Sequence, residues 1–316
     1  MTESTFSCAR FIKEIGRGPH GARPLSRDDA HDLYAAMLDG RVSDVELGAV
    51  LVAYRLKGET PVELSGMLAA AHATIDLLRT PAGNHRAVSI PTYNGARKQA
   101  NLTPLLAMLL AREGVPVLVH GVTDDPGRVT SAEIFAELGV AAASNTSDIE
   151  RALDASCVAF APIATLSPRL ARLLSMRRVL GVRNSTHTLV KLLQPFADPG
   201  LRLVNYTHPP YRDNLSALFR DHPELGAGGA LLARGTEGEA VADTRRQVQI
   251  DWLHDGVAET IVESERRADD APLPVLPERD AGSTARWIEQ VLAGTQAAPA
   301  EIQRQVEIIK RLAART

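Results

Sequence analysis

Residues 87–119, AVSIPTYNGARKQANLTPLLAMLLAREGVPVLV, constrain the fold more than any other part of the sequence. Both ends of this segment, residues 87–91 and 115–119, are short valine-containing runs bounded by turn residues, which predicts strands. Thr103 followed by Pro104 predicts a helix start, with a hydroxyl at the N-cap and proline at the first helical position. Strand, helix and strand in this order are typical of an α/β fold with a parallel sheet.

The loop at residues 92–102 joins the first strand to this helix. Unpaired N–H groups at a helix N-terminus favour an anion. The loop also carries Arg97 and Lys98 and contains no acidic residue. We therefore predict that it binds an anion.

The rest of the chain divides into a helical part and an α/β part. Residues 1–80 contain helix starts at Ser26, Ser43 and Thr60, the last two followed by a glutamate at the capping-box position. After a Pro- and Gly-containing linker at residues 80–84, strand and helix signals alternate. Strands are predicted at residues 156–161, 201–206, 230–233 and 248–252, helices at 130–139, 167–181, 185–193, 283–294 and 299–315, a turn at 208–211 and a loop at 269–283.

Composition excludes several classes of protein. The 316 residues are 45% hydrophobic, enough for one large domain or two smaller ones. The two cysteines, Cys8 and Cys157, are far apart, which argues against a disulfide framework or a zinc ribbon. No apolar run approaches about 18 residues and no signal peptide is recognisable, so we expect a cytoplasmic protein without a membrane partner. With a net charge of −3, nucleic acid would have to be held by a local basic patch.

One such patch is visible in the sequence. Residues 155–197 contain no Asp or Glu. They contain the basic residues Arg169, Arg172, Arg177, Arg178, Arg183 and Lys191. Arginine pairs bidentately with phosphate, so the run is a candidate phosphate-binding surface. The alternative is a solvated helical face with acidic partners elsewhere in the fold.

Three short segments resemble the substrate site of anthranilate phosphoribosyltransferase. In that family GTGGD, FN-I-S/T and KHGN occupy the positions of residues 91–95, 100–103 and 119–122. The sequences YNGARKQANLTPLLA, beginning at Tyr93, and LGVRNSTHTLVKL, beginning at Leu180, resemble the YbiB-type proteins, a DNA-binding paralogous group. The resemblance implies a helical N-terminal subdomain and a mostly parallel central sheet flanked by helices. It also implies a homodimer formed through the N-terminal helices.

The resemblance further implies the domain boundaries and a shared cleft. We expect a helical subdomain of residues 1–80, joined in space by helices around 168–193, and an α/β domain of residues 85–316. In the family fold, the anion-binding loop and the basic helical segment face the same cleft. Arg177 occupies the position of an arginine that contacts the aromatic acid in the enzymes.

Several positions depart from the enzyme pattern. Pro91, Tyr93 and Asn94 replace three glycines, and Gly95 replaces the aspartate. Proline has no N–H and tyrosine is bulky, so close approach of a diphosphate is harder. The adjacent Asp-Glu pair of the enzymes is missing at residues 235–239, where two glutamates are more often solvated surface than metal ligands. We predict no catalytic residue and no cofactor. What is left of the substrate site would be Thr92, Asn94, Gly95, His120, Gly121 and Glu239.

The favoured function is therefore sequence-nonspecific binding of DNA or RNA through a basic groove. Besides the basic run, the predicted contacts are Arg97, Lys98, Asn101 and Thr103. Two alternatives stay open. One is a phosphoribosyltransferase with an altered acceptor, which would need Mg²⁺. The other is a sensor that binds a small anion or a nucleotide.

Some features have both a structural and a functional interpretation. His120, His187 and His208 are candidate acid–base groups, but a histidine without an identifiable carboxylate partner is more often structural. Asp124 and Asp125 precede Pro-Gly, which indicates a turn before it indicates a metal site.

The second predicted helix has an apolar face formed by Leu47, Val50, Leu51 and Tyr54. Such a face is usually intramolecular core. The family resemblance favours a dimer surface instead. Both interpretations stay open at this point.

Overall fold

A computed structural model of the chain describes residues 6–18, 20–266 and 273–315. Its helices are α1 (Ala9–Ile15), α2 (Arg27–Leu38), α3 (Asp44–Lys57), α4 (Pro61–His72), α5 (Thr103–Arg112), α6 (Ser131–Glu137), α7 (Thr146–Ser156), α8 (Ile163–Leu166), α9 (Pro168–Leu180), α10 (Thr186–Leu189), α11 (Pro209–Asp221), α12 (Ala281–Leu292) and α13 (Ala300–Ala313), with a 3₁₀ turn at Pro223–Gly226. Its strands are β1 (Val88–Thr92), β2 (Val117–Gly121), β3 (Val158–Pro162), β4 (Leu201–Tyr206), β5 (Ala230–Arg234), β6 (Ile250–His254) and β7 (Val257–Val262).

The chain forms two compact units. The helical unit contains Met1–Asp76 and Ser167–Leu193, and the α/β unit contains Leu77–Leu166 and Gln194–Thr316. Within the described ranges, no helix is both long enough and apolar enough to cross a membrane.

Local capping signals explain the helices of the helical unit. The Ser26 hydroxyl accepts the Asp29 N–H at the start of α2. Thr60 and Glu63 form the predicted capping box at the start of α4. The starts predicted for these helices are confirmed, because each hydroxyl accepts an N–H group that has no partner inside its helix.

The apolar face of α3 lies in the core of the helical unit. Leu47, Val50, Leu51 and Tyr54 are all at most 4% exposed. The core interpretation of this face is therefore correct, and charges placed at Leu47 or Leu51 would disturb folding rather than test a dimer surface. Other apolar side chains of α3 are exposed, including Val45, Val52 and Leu56 at 84%, 39% and 82%.

The α/β unit is built on a mixed sheet with strand order β3-β2-β1-β4-β5-β6-β7. The five strands from β3 to β5 pair in parallel, and β6 and β7 are antiparallel additions at one edge. The sheet core includes Ile90, Leu106, Val119 and Phe160, each at most 1% exposed. These observations confirm the predicted fold class.

The strand order places a ligand crevice at the carboxyl ends of the central strands. From β1 the chain crosses to β2 on one side, whereas β4 pairs with β1 on the other side. Such a reversal opens a crevice outside the carboxyl ends of the strands. The loop after β1, Gly121 at the end of β2 and residues 235–239 after β5 all lie at this edge.

Some elements differ from the sequence predictions. Residues 208–211 begin helix α11 rather than forming a turn, because proline fits the first turn of a helix. The helix predicted at 185–193 is reduced to the single turn α10. Helix α7 and strand β7 were not predicted, since each buries few apolar side chains. Residues 269–272 of the predicted loop at 269–283 lie outside the described residues.

Candidate functional site

The loop after β1 has its backbone N–H groups turned toward protein oxygens. Asn94 N and Gly95 N donate to the same carboxylate oxygen, Glu239 Oε1, at 2.8 and 2.6 Å. Ala96 N donates to the carbonyl of Val129 at 3.0 Å. The first part of the predicted anion-binding loop therefore holds an anion supplied by the chain itself.

The next three N–H groups converge on a second carboxylate. Lys98 N and Gln99 N donate to Glu237 Oε1 at 2.9 and 3.1 Å, and Arg97 N donates to Glu237 Oε2 at 3.2 Å. Consecutive N–H groups pointing at one anion form a backbone nest. We call residues 97–99 the amide nest.

A tight turn carries both glutamates to the loop. Thr236 and Glu239 exchange backbone hydrogen bonds of 3.0 and 2.9 Å around Glu237 and Gly238, whose φ angles are +52° and +90°. Positive φ at both central positions is typical of a type I′ turn. Asn94 Nδ2 donates to the Gly238 carbonyl at 2.7 Å, and a Cβ on Gly238 would lie 1.7 Å from that nitrogen. Only glycine allows this approach.

Glu239 is buried, contrary to the expectation of a solvated surface residue. Its side chain is 1% exposed, and Oε2 is buried without a hydrogen-bond partner among the described residues. Burial and the charge of Glu239 raise the pKa of Tyr93 well above its usual range. Tyr93 lies against His120, with its hydroxyl 2.8 Å from Nδ1. Burial lowers the pKa of His120 to about 3, so this imidazole is neutral at physiological pH.

The remaining predicted substrate residues form an internal network. The hydroxyls of Thr92 and Ser131 are 2.7 Å apart, and Asn101 Nδ2 donates to Ser131 Oγ at 3.1 Å. Asn101 Oδ1 accepts Thr103 N at 3.1 Å, so Asn101 rather than the Thr103 hydroxyl satisfies the start of α5. Gly121 leaves no room for a side chain, because a Cβ there would lie 1.8 Å from the Thr92 carbonyl oxygen.

This network bears on two predicted nucleic-acid contacts. Asn101 is 2% exposed and Thr103 is 0% exposed. A polyanion outside the protein cannot reach either side chain in this conformation. The structure therefore assigns both residues to the support of the loop.

Basic side chains surround the loop within the α/β unit. Arg97 and Lys98 are exposed while their N–H groups are bound. Arg279 Nη1 donates to the Arg97 carbonyl at 2.7 Å. The charge of Glu237 acts on Arg245, which also pairs with a neighbouring aspartate. Arg245 and Arg279 were missed in the sequence because they are far from the loop along the chain.

The helical unit satisfies two of the predicted arginines internally. Arg169 pairs with Asp39, and Arg172 donates to the carbonyl of Met37. The acidic partner of Arg169 lies outside the basic run, as the solvated-face interpretation expects. These two side chains are therefore less available to phosphate than the sequence suggests.

Three of the other basic residues of the run act on one histidine. Burial, followed by the charges of Arg183, Arg177 and Lys191, lowers the pKa of His187 to about 3. Arg178 is exposed on the last turn of α9. Because His187 stays neutral at physiological pH, the local charge of this cluster comes from the arginines and the lysine.

The described residues do not fit a magnesium site. Glu237 and Glu239 both accept N–H groups of the loop. The remaining buried oxygen, Glu239 Oε2, cannot by itself supply the octahedral ligand set that Mg²⁺ requires. Among residues 6–18, 20–266 and 273–315, no three His, Cys, Asp or Glu side chains cluster in a way that could hold a metal. Asp124 and Asp125 precede a turn in which Arg128 N donates to the Asp125 carbonyl at 3.1 Å.

The sequence contains a signal that Glu237 binds the loop after β1. The loop after β1 is free of acidic residues, and the Glu-Gly-Glu sequence that follows β5 lies at the same edge of the sheet. Carboxylates and unpaired N–H groups at one edge are complementary.

Comparisons with known proteins identify the family. Residues 9–74 match the helical bundle domain of a glycosyl transferase family. The chain is 44% identical over 298 residues to the uncharacterized protein YbiB of Escherichia coli (strain K12), covering 94% of this chain and 91% of that protein. It is 30% identical over 280 residues to the anthranilate phosphoribosyltransferase of Sorangium cellulosum (strain So ce56), covering 87% of this chain and 78% of that enzyme.

Solved structures show the same fold. The anthranilate phosphoribosyltransferase of Thermus thermophilus superposes with a TM-score of 0.71 at 23% identity, covering 96% of this chain and 87% of that chain. The enzyme from Saccharomyces cerevisiae, in complex with phosphoribosyl pyrophosphate (PRPP) and Mg, superposes with a TM-score of 0.72 at 14% identity. The match covers 96% of this chain and 88% of that chain. With YbiB, the chain belongs to the anthranilate phosphoribosyltransferase family.

Proposed function

We propose that this protein binds nucleic acid without sequence specificity, on a phosphoribosyltransferase scaffold that does not carry out the ordinary transfer. The observation that carries this proposal is the state of the loop after β1. Five of its N–H groups are bound to Glu237 and Glu239, where a donor diphosphate would need them. The exposed surface of the same loop is basic.

A donor diphosphate would compete with two glutamates for the N–H groups of this loop. A diphosphate at this loop would have to displace two carboxylates, one of which is buried. Pro91 has no N–H to offer, and Tyr93 fills space with a side chain that is 3% exposed. These features support a loop that is closed to PRPP.

Exposed basic side chains support the binding of nucleic acid. Arg97 and Lys98 are exposed, and the arginine-rich helix end of the helical unit supplies a second basic cluster. Neutralising backbone phosphates releases counterions, so binding of this kind is strongly salt-dependent and independent of base sequence. We propose DNA or RNA as the partner on this basis.

We also propose a cytoplasmic homodimer that uses the exposed apolar residues of α3. Val45, Val52 and Leu56 recur at helical spacing and are 84%, 39% and 82% exposed. An apolar stripe of this kind is typical of an interaction surface. The two cysteines are free thiols, which suits a reducing compartment.

Oligonucleotide affinity measured over a salt series tests the proposal. Each phosphate contact adds about 0.7 to 0.9 to the slope of log affinity against log salt. The double substitution Arg97→Ala/Lys98→Ala should therefore lower the slope by roughly 1 to 2 units for unrelated sequences. Its charge-matched control is Arg304→Ala/Arg311→Ala, on the exposed surface of α13, which should keep the wild-type slope. Equal slopes for the wild type and both doubles would refute a role for the loop.

A phosphoribosyl-transfer assay tests the proposed lack of ordinary transferase activity. With anthranilate, PRPP and Mg²⁺, we expect no product above background. Product formation that Glu239→Ala abolishes would contradict the proposal and favour a phosphoribosyltransferase with an unusual donor loop.

A further inference from the structure

A cavity of about 730 Å³ lies beside the edge strand β3, within the α/β unit. It is partly open to solvent, and its walls are the end of α5, residues 139–144, one side of α7 and the first residues of β3. Pockets that hold small molecules have volumes of about 300 to 1,000 Å³. None of the lining residues belongs to the loop after β1, to residues 235–239 or to the predicted phosphate contacts. The cavity is therefore separate from the site described above.

The sequence of residues 139–144, Gly-Val-Ala-Ala-Ala-Ser, explains the cavity. This segment runs beside β3, where Ala142 bridges Phe160 in parallel register. Ala143 N donates to the Phe160 carbonyl at 2.9 Å. The three residues that follow the edge strand thus carry single methyl groups as side chains. These methyl groups leave room between the end of α5 and α7 that larger side chains would fill.

The outer edge of β3 offers little to an added peptide strand. Alternate residues of a parallel strand direct their backbone groups to the same edge, so Val158 faces outward with Phe160. The position beside Phe160 is taken by residues 141–143. The Ser156 hydroxyl lies 3.2 Å from the Val158 carbonyl oxygen. A peptide strand would find no continuous run of edge groups here, so the cavity suits a small molecule.

The apolar part of the lining favours an unbranched aliphatic chain. Its side chains are short or flexible, and they include Met108, Ala111, Ala141, Ala142 and Ala152. Methionine adapts to the shape of a neighbour because its side chain is unbranched and rotates freely. The aromatic ring of the lining, Phe160, is 1% exposed and packs on Phe135 with ring centroids 5.7 Å apart. It is therefore not available for stacking on an aromatic ligand.

Two guanidinium groups in the lining favour a negatively charged ligand. Arg112, at the end of α5, donates from Nη1 to the Leu292 carbonyl at 2.7 Å, which fixes its position. Arg151 of α7 pairs with Asp148, which also lines the cavity. Asp148 Oδ2 accepts Asn145 Nδ2 at 3.0 Å at the start of α7, where the helix dipole offsets its charge. The two arginines therefore outweigh the one carboxylate, and a guanidinium group pairs well with a ligand carboxylate.

We propose that this cavity binds a medium-chain aliphatic carboxylate. The aliphatic chain lies against Met108 and the alanine methyl groups, and the carboxylate contacts Arg112 and Arg151. This inference goes beyond the proposed nucleic-acid binding and shares no residue with it, so either can fail without the other.

Calorimetry on the full-length protein with octanoate and octanamide tests the charge preference. The two compounds have the same chain and differ in the charge of the head group. We expect octanoate to bind about fivefold more tightly, as one exposed ion pair allows. From butanoate to octanoate, affinity should rise about fourfold for each added methylene group, because each buried CH₂ contributes to binding.

Substitutions in α7 locate the site. Ala152→Leu fills part of the cavity and should weaken octanoate binding about tenfold. Its matched control is Ala155→Leu, which adds the same bulk at an exposed position of α7 outside the lining and should bind as the wild type does. Arg151→Gln should weaken octanoate binding about fivefold and leave octanamide binding unchanged, whereas Arg311→Gln on α13 should change neither.

Equal affinities for octanoate and octanamide, or an affinity that does not rise with chain length, would overturn the proposal. So would an Ala152→Leu variant that melts like the wild type and binds octanoate equally well. Octanoate affinity that falls as the protein concentration rises would show that a second copy occupies the cavity, and it would overturn the proposal as well. Wild-type affinity in Arg151→Gln would remove this arginine from the site and contradict the proposed carboxylate contact.

Discussion

Replacing Glu239 with alanine should release the first part of the loop. The Glu239 carboxylate is the acceptor for Asn94 N and Gly95 N, and it is buried. A hydrogen bond to a charged group is worth about 1.5 to 3 kcal/mol, so losing both costs about 3 to 6 kcal/mol of local stability. Glu239→Gln keeps one oxygen acceptor without the charge and should lose about half as much, since charge-assisted bonds are roughly twice as strong as neutral ones.

Hydrogen exchange at residues 94 and 95 measures this loss directly. Each 1.4 kcal/mol changes the opening equilibrium about tenfold, so Glu239→Ala should speed exchange at these two positions by roughly 10²- to 10⁴-fold. The matched control is Glu289→Ala, on the exposed face of α12, which should leave the loop unchanged. An intact Glu239→Ala protein with wild-type protection at both positions would refute the assignment of this carboxylate.

Three further predictions concern the basic cluster, the dimer and the buried histidine. Arg177→Ala/Arg178→Ala should flatten the salt slope by roughly 1 to 2 units without lowering the melting temperature, whereas a lowered melting temperature with an unchanged slope would make these arginines structural. Val52→Asp/Leu56→Asp should sediment as a single 34.0 kDa species while the wild type is larger, and a double variant that stays dimeric would place the interface elsewhere. The folded-state pKa of His120, about 3, lies below the unfolded value of 6.5, so its stabilising contribution is present above pH 6.5 and is lost as the pH falls toward 3. Between pH 7 and pH 5 the free energy of unfolding should fall by about 2 kcal/mol on account of His120, as measured by urea unfolding followed by tryptophan fluorescence. His120→Asn should lack this part of the pH dependence. An equal pH dependence in both proteins would contradict the burial of a neutral imidazole.

The framework of the α/β unit could be predicted because its signals are local. The strands β1 and β2 and the helix α5 follow from valine-containing runs, a proline and a turn, all within one short segment. A secondary-structure prediction was wrong where one local sequence pattern is compatible with two structures. The prolines at the start of α11 fit either a turn or a first helical turn, and packing decides between them.

The occupant of the loop could not be predicted, because it depends on contacts distant in sequence. Glu237 lies 140 residues from Arg97 along the chain, and Asp39 lies 130 residues from Arg169. Composition showed that residues 92–102 and 155–197 lack acids, but only the fold shows which acids approach them. The sequence therefore indicated a loop with N–H groups available to an anion, and it could not show that Glu237 and Glu239 of the same chain accept them.

The central claim is that phosphates of nucleic acid bind the protein while the donor loop stays closed to PRPP. Fluorescence anisotropy of one labelled single-stranded oligonucleotide, measured at several salt concentrations with and without excess Mg²⁺ and PRPP at matched ionic strength, tests both parts together. We predict a linear fall of log affinity with log salt, of about 0.7 per phosphate contact, that PRPP leaves unchanged. Binding that is absent or insensitive to salt, or an oligonucleotide displaced by PRPP, would contradict the account.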